Sequence, residues 1–262
     1  MTRTIEIDFG DDGIAVLRLN RPEKHNAISA LMIEELHQAA EDLGAQAAVR
    51  VVVLAANGPS FCAGGDLAWM QDQLTSDNAS RAAEAKRLAL MLQALNTMPK
   101  PLIGAVEGNA FGGGVGLMCV CDLVVASEEA RFGLTETRLG LVPATIGPYV
   151  IARMSEGKAR RVFMSSRRFD AHEALALDIV AQIVPQDRVL TTALSHAQPY
   201  LACAPKAVAA AKALARSMGA PITDAHIDAS IAALIECWQG DEAREGIAAF
   251  FAKRKAKWNT QI

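Results

Sequence analysis

The chain has no apolar run approaching the ~20 residues of a spanning helix, no basic excess and no paired cysteines, and each absence removes a class of function. Its 262 residues carry 26 Lys and Arg against 29 Asp and Glu, a formal net charge of -3. That balance gives no basic field for nucleic acid, and no helix-length run of arginine and lysine marks a membrane-surface segment. Met1 to Ile7 alternates polar and apolar residues and lacks the basic-then-apolar layout of a secretory leader. The five cysteines, Cys62, Cys119, Cys121, Cys203 and Cys237, are odd in number and scattered. They suggest neither a disulfide framework nor a zinc site, Cys119 and Cys121 read as packing residues, and a reducing, cytoplasmic setting is expected. His25, His37, His172, His196 and His226 stand apart from one another, and Ser155 has no nucleophile-elbow pattern. No Lys-Ser or Lys-Thr pair follows the glycine runs, so nucleotide hydrolysis drops out and serine-hydrolase chemistry is disfavoured.

What is present is an ordinary globular composition, 51% hydrophobic and 21% charged, enough for one main domain with a helical appendage. Strand-like and helix-like segments alternate: Ile14 to Leu19, then Ile28 to Gly44, Val51 to Leu54, Ala82 to Leu95, Leu102 to Val106, a helix opening after Gly112, and Leu123 to Ala126. This order predicts a layered α/β fold, and the unbroken apolar run Val51-Val52-Val53-Leu54 predicts a sheet covered on both faces. Beyond Pro148 the pattern turns helical, with Ala159 to Ser165, Ala171 to Leu177, Val189 to Leu201 and Pro205 to Ser217. We divide the chain into a core of residues 1–200 and a helical region of residues 201–262. The stretch Ile222 to Lys257 carries an apolar stripe (Ile227, Ile231, Leu234, Ile235, Trp238, Ile247, Phe250, Phe251) that needs a partner surface, on its own domain or on a neighbouring subunit.

Two glycine-rich junctions stand out: Phe61-Cys62-Ala63-Gly64-Gly65-Asp66-Leu67 and Gly108-Asn109-Ala110-Phe111-Gly112-Gly113-Gly114-Val115-Gly116-Leu117. Either alone makes an ordinary turn. Together, two loops of small residues can aim backbone N–H groups at one oxygen, which is what stabilising a thioester enolate requires.

With Leu19-Asn20-Arg21-Pro22, Lys24-His25-Asn26-Ala27, Cys121-Asp122, Phe132-Gly133-Leu134-Thr135-Glu136, Gly140-Leu141-Val142-Pro143 and the terminal Lys253-Arg254, these segments make the chain resemble the enoyl-CoA hydratase/isomerase (crotonase) superfamily over nearly its whole length. The resemblance implies a crotonase-like spiral of ββα units, a helical C-terminal trimerisation region, assembly as a homotrimer or dimer of trimers, and an acyl-CoA substrate whose coenzyme A is part of the substrate, with no permanently bound cofactor. It implies an oxyanion hole from the N–H groups of Ala63 and Gly113, and Glu136 as the acid/base. It places substrate contacts at Lys24, Ala27, Ala63, Gly64, Gly65, Asp66, Leu67, Gly112, Gly113, Gly116 and Leu139, with Lys253 able to reach a phosphate.

The chain departs from typical hydratases of this family at Gly116, where they carry a second glutamate. A branch similar to bacterial methylglutaconyl-CoA hydratases shares that glycine, and also resembles this chain from Gly140 to Tyr149, from Asp66 to Gln71 and from Arg167 to Asp170. The resemblance therefore favours hydration of a branched enoyl-CoA. The alternatives are a double-bond isomerase using Glu136 alone, or a non-catalytic acyl-CoA or RNA-binding member. Thr145 and Tyr149 are candidates to assist Glu136. Arg81, Arg131 and Arg138 are candidates to meet a carboxylate at the distal end of a glutaconyl chain, since a buried charge needs a partner.

Overall fold

The computed structural model describes residues 4–259; the parts of the N-terminal and C-terminal readings that fall on residues 1–3 and 260–262 lie outside that range. The strands are β1 (Ile5–Phe9), β2 (Ile14–Leu19), β3 (Val51–Ala56), β4 (Ser60–Cys62), β5 (Leu102–Val106), β6 (Asn109–Phe111), β7 (Leu123–Ser127), β8 (Arg131–Gly133), β9 (Arg168–Asp170) and β10 (Gln182–Val184). The helices are α1 (Ala30–Ala45), α2 (Leu67–Thr75), α3 (Asn78–Thr97), α4 (Gly113–Cys119), α5 (Gly147–Met154), α6 (Glu156–Phe163), α7 (Ala171–Ala176), α8 (Val189–Leu201), α9 (Pro205–Met218), α10 (Asp224–Gln239) and α11 (Asp241–Phe251).

A six-stranded sheet has the order β1-β2-β3-β5-β7-β10, and a four-stranded sheet the order β4-β6-β8-β9. Three times in succession the chain gives one strand to the large sheet, the next to the small one, and then turns into helix: β3-β4-α2, β5-β6-α4 and β7-β8-α5. Apart from the β1-β2 hairpin the large sheet is parallel, because each return passes through a crossover too long for a hairpin. The result is the α/β crotonase fold, two mixed sheets followed by C-terminal helices.

β3 shows why its run is uniformly apolar. Val52 and Leu54 face the main core with Leu36 of α1 and Leu92 of α3, while Val51, Val53 and Ala55 face a second core closed by Val189, Ala193 and Ala197 of α8. Successive side chains point to opposite faces, so a strand covered twice has no polar position.

Some boundaries move for local reasons. α3 begins at Asn78 rather than Ala82 because the Asp77 carboxylate accepts the Ser80 N–H at 2.7 Å, capping the helix earlier than its apolar pattern begins. β9 and β10 interrupt the stretch beyond Pro148 that reads as helical, each only three residues long and too short for a period to show. The C-terminal stripe breaks at Gly240 into α10 and α11 and lies on its own chain: Ile227 and Ile231 pack with Ala85 and Ala89 of α3, and Trp238 and Ile247 with Leu141. α9, by contrast, has no buried residue, and its Leu214 and Met218 are exposed. Among the described residues no helix is long and apolar enough to cross a membrane.

Candidate active site

The loop after β4 runs beside Ile28 in a single parallel bridge. The Ile28 N–H donates to the Gly64 carbonyl at 2.8 Å, and the Asp66 N–H donates to the Ile28 carbonyl at 2.9 Å. Because Ile28 bonds the two neighbours of Gly65, the N–H of Gly65 itself points to the other side of the strand. Gly65 has no backbone acceptor among the described residues and lies on the wall of a cavity. Ala63, expected to supply a free N–H, does not: it donates to the His25 carbonyl at 2.9 Å. The pairing of the chain around His25 with the end of β4 uses that donor, and Gly65 offers the free one.

The second loop meets the first at Gly112, whose φ of 49° and ψ of −115° are closed to most L-residues. A Cβ on Gly112 would lie 3.9 Å from the Gly64 Cα and 2.9 Å from the Glu136 Oε1. The two glycines thus let both loops and the carboxylate share one corner. Gly113 opens α4, and the N–H groups of a first helical turn have no partner within the helix.

Glu136 begins the 3₁₀ turn Glu136–Leu139 that follows β8. The turn is tied down by Thr137, whose hydroxyl lies 2.6 Å from the Ser166 hydroxyl, and by the Arg138 N–H donating to that same hydroxyl at 3.0 Å. From above, α11 rests on it so closely that a Cβ on Gly246 would lie 2.5 Å from the Leu139 carbonyl oxygen. Although the turn's backbone is partly exposed, the Glu136 carboxyl is enclosed, and its Oε2 has no hydrogen-bond partner. Burial pushes its pKa up to about 7, against the pull of the backbone N–H groups of Glu136 and Thr135.

These elements enclose a cavity of 350 Å³. Ala63, Gly64, Gly65, Leu67, Gly112, Gly113, Glu136 and Leu139 lie on its wall, together with Thr145, Arg81 and Arg138. Four expected substrate contacts, and three further candidates, do not. Lys24 is exposed at the end of a short 3₁₀ turn and Ala27 is buried behind the loop. Asp66 accepts the Ala68 N–H at 2.8 Å as the cap of α2 and pairs with Arg21 at 2.8 Å. Burial would raise the Asp66 pKa, but the Arg21 and Ala68 bonds outweigh it and hold it below the usual carboxylate value. Gly116 is buried in α4, and a Cβ there would lie 2.5 Å from the Ile146 Cγ2. Tyr149 is turned away, its hydroxyl donating to the Ala89 carbonyl at 2.7 Å. Arg131 is spent on the carbonyls of Glu129 and Ala130, and Lys253 is exposed beyond α11.

Sequence reasoning missed Gln73, Arg168, Leu234, Trp238 and Phe250, which also line the cavity. The last three belong to the C-terminal stripe, whose apolar spacing was visible but whose destination was not. Glu136 is the one acidic residue on the wall among the described residues, and no cluster of His, Cys, Asp or Glu among them could hold a metal ion.

Comparison with known proteins points to one family. Residues 10–261 match the family model described as enoyl-CoA hydratase/isomerase. The chain is similar to the mevalonyl-coenzyme A hydratase sidH of Aspergillus fumigatus, 31% identical over 96% of this chain and 93% of that protein. It is also similar to the short-chain-enoyl-CoA hydratase of Clostridium acetobutylicum, 30% identical over 92% of each. Among solved structures, an enoyl-CoA hydratase from Shewanella pealeana superposes with a TM-score of 0.80 at 36% identity, covering 97% of this chain and 96% of that one.

Proposed function

Because the chain belongs to the enoyl-CoA hydratase/isomerase family, whose hydro-lyases act on enoyl-CoA thioesters, we propose that it hydrates a branched 2-enoyl-CoA such as 3-methylglutaconyl-CoA. One observation carries the reading: an enclosed carboxyl with a pKa near 7, whose Oε2 has no hydrogen-bond partner, beside two glycine loops that meet at the same corner. The thioester oxygen accepts from the N–H groups of Gly113 and Gly65, the latter in place of Ala63. Both donors strengthen as negative charge collects on that oxygen, which favours the transition state over the bound substrate. Glu136, ionised, takes a proton from water as the oxygen of that water attacks the β-carbon. The same carboxyl then delivers a proton to the α-carbon, giving the 3-hydroxyacyl thioester and restoring the carboxylate.

Leu67, Gly64, Gly112 and Leu139 wall the bound thioester in this scheme, and Lys24 and Ala27 flank the outer approach of the coenzyme A portion. The mevalonyl name of the Aspergillus relative, which denotes a branched acyl chain, supports the choice of substrate. The exposed apolar residues of α9 support assembly as a homotrimer or dimer of trimers through that helix; sedimentation of a Leu214→Lys, Met218→Lys chain as a monomer is the expected result.

A second reading has its own support. With Ile146 packed over Gly116, a lone carboxylate faces the cavity, which suits a double-bond shift as well as hydration. Incubation with 3-methylglutaconyl-CoA, crotonyl-CoA and a 3-enoyl-CoA, followed by chromatography and mass spectrometry, separates the two. Gain of one water on the branched substrate is expected. A shift of the double bond without mass change would replace hydratase by isomerase.

A further inference from the structure

α2 inverts the usual arrangement of an amphipathic helix. Its one buried residue is Gln73, 6% exposed, while Leu67 and Leu74 stand 48% and 37% exposed. Gln73 lies on the cavity wall beside Ala85, Leu88 and Leu234. Its carbonyl accepts from Arg81, but its side-chain carboxamide bonds to no protein group among the described residues. The carboxamide is not sealed in the protein interior but reaches the cavity, so its two N–H donors and one oxygen are free for whatever fills that space.

Arg81 stands next to it. The guanidinium donates to the carbonyls of Gln73 and Leu74 and to the Asn78 Oδ1, at 2.8, 3.2 and 3.2 Å, and lies 5.2 Å from the centre of the Trp238 ring. These bonds fix its position without pairing its charge, since none of the acceptors is ionised. The exposed Asp77 carboxylate, which the Ser80 N–H and, more weakly, Arg81 hold below its usual value, makes no ion pair with it. Nor does Arg81 take part in any ion pair of the described residues, whereas Arg21 and Arg167 each have a carboxylate. An unpaired cation beside an unpaired carboxamide, on the wall of a mostly apolar cavity, is suited to an anion with hydrogen-bonding oxygens.

We propose that Gln73 and Arg81 form a subsite for a carboxylate at the distal end of the acyl chain, so that the substrate class is a short enoyl-CoA ending in a carboxylic acid. The inference rests on the enoyl-CoA reading above and adds residues to it. Gln73 supplies N–H donors, and Arg81 supplies the charge that makes burial of the carboxylate tolerable. A plain alkyl end would give the carboxamide no hydrogen bond and Arg81 no ion-pair partner.

Crotonyl-CoA and glutaconyl-CoA differ only in the terminal carboxyl, so their kcat/KM values on one enzyme measure its effect. The wild type is expected to prefer glutaconyl-CoA. Gln73→Leu should lower the glutaconyl-to-crotonyl ratio at least tenfold, chiefly through KM for glutaconyl-CoA, and Gln73→Glu should lower it further by placing like charges together. Gln73→Met, closer in length, replaces the leucine variant should that one fail to fold. An unchanged ratio in folded variants, or a wild type that hydrates crotonyl-CoA and rejects glutaconyl-CoA, would overturn the subsite and leave the hydratase reading standing. Turnover of no enoyl-CoA would overturn both.

Discussion

At Glu136 one side chain links pH, stability and turnover. Replacing it by glutamine keeps the shape and removes the exchangeable proton, so hydration should fall by about 10²–10⁴-fold with acyl-CoA binding retained, as rates and titration calorimetry would show. Hydration needs the ionised form, so kcat/KM for the wild type should rise with pH through about 7. Stability runs the other way. The folded carboxyl holds its proton up to about 7 while the ordinary value is 4.5, so the folded state binds more protons between these values. The contribution is fully present below 4.5 and is lost as pH rises through 7, about 3 kcal/mol in all. Urea unfolding should therefore find Glu136→Gln more stable than the wild type at pH 8 and little different at pH 4. A neighbouring residue limits redesign. Gly116→Glu does not by itself restore a second carboxylate, because its Cβ would meet Ile146 at 2.5 Å. Even Gly116→Ala should cost about 1–3 kcal/mol from overpacking. A carboxylate at residue 116 requires Ile146→Gly in the same chain, and gain of crotonyl-CoA hydration in the double variant but not in the single one is the expected pattern.

Among the elements, β3 is the most exposed to test, since each of its side chains belongs to one core or the other. Val53→Ala should lower unfolding free energy by about 2 kcal/mol, read from the denaturant midpoint at unchanged slope. β3, β5 and α8 were legible because long apolar runs or helical spacing leave few alternatives, and the bounds Leu102–Val106 and Val189–Leu201 match those expected from sequence. The three-residue strands of the small sheet were not legible, because three residues carry no period and their pairing is fixed only by neighbours distant in the chain. The site divides in the same way. Motifs located Glu136 and both glycine loops, whereas the choice between Ala63 and Gly65 depends on which N–H the His25 carbonyl captures. Gln73 carried no local signal at all, since its buried place depends on neighbours from elsewhere in the chain, among them Arg81 of α3, which bonds its carbonyl.

For the molecule as a whole, the C-terminal helices complete the cavity of the chain that carries them, with Leu234, Trp238 and Phe250 on its wall and α11 seated on the turn that begins with Glu136. Lifting these helices would open the cavity to water and loosen the glutamate together. Ligand affinity and helix docking are therefore two measures of one coupling, and whatever the docked helices add to binding, the ligand must return to docking. At a hundredfold excess over its Kd, a ligand held only by the closed form should stabilise it by about 2.7 kcal/mol. Amide hydrogen exchange should slow by up to about 100-fold across α10 and α11 wherever exchange proceeds by their lifting, with residues protected only by global unfolding gaining no separate advantage. A tail that looks like an appendage in the sequence would then report, amide by amide, whether the cavity is full.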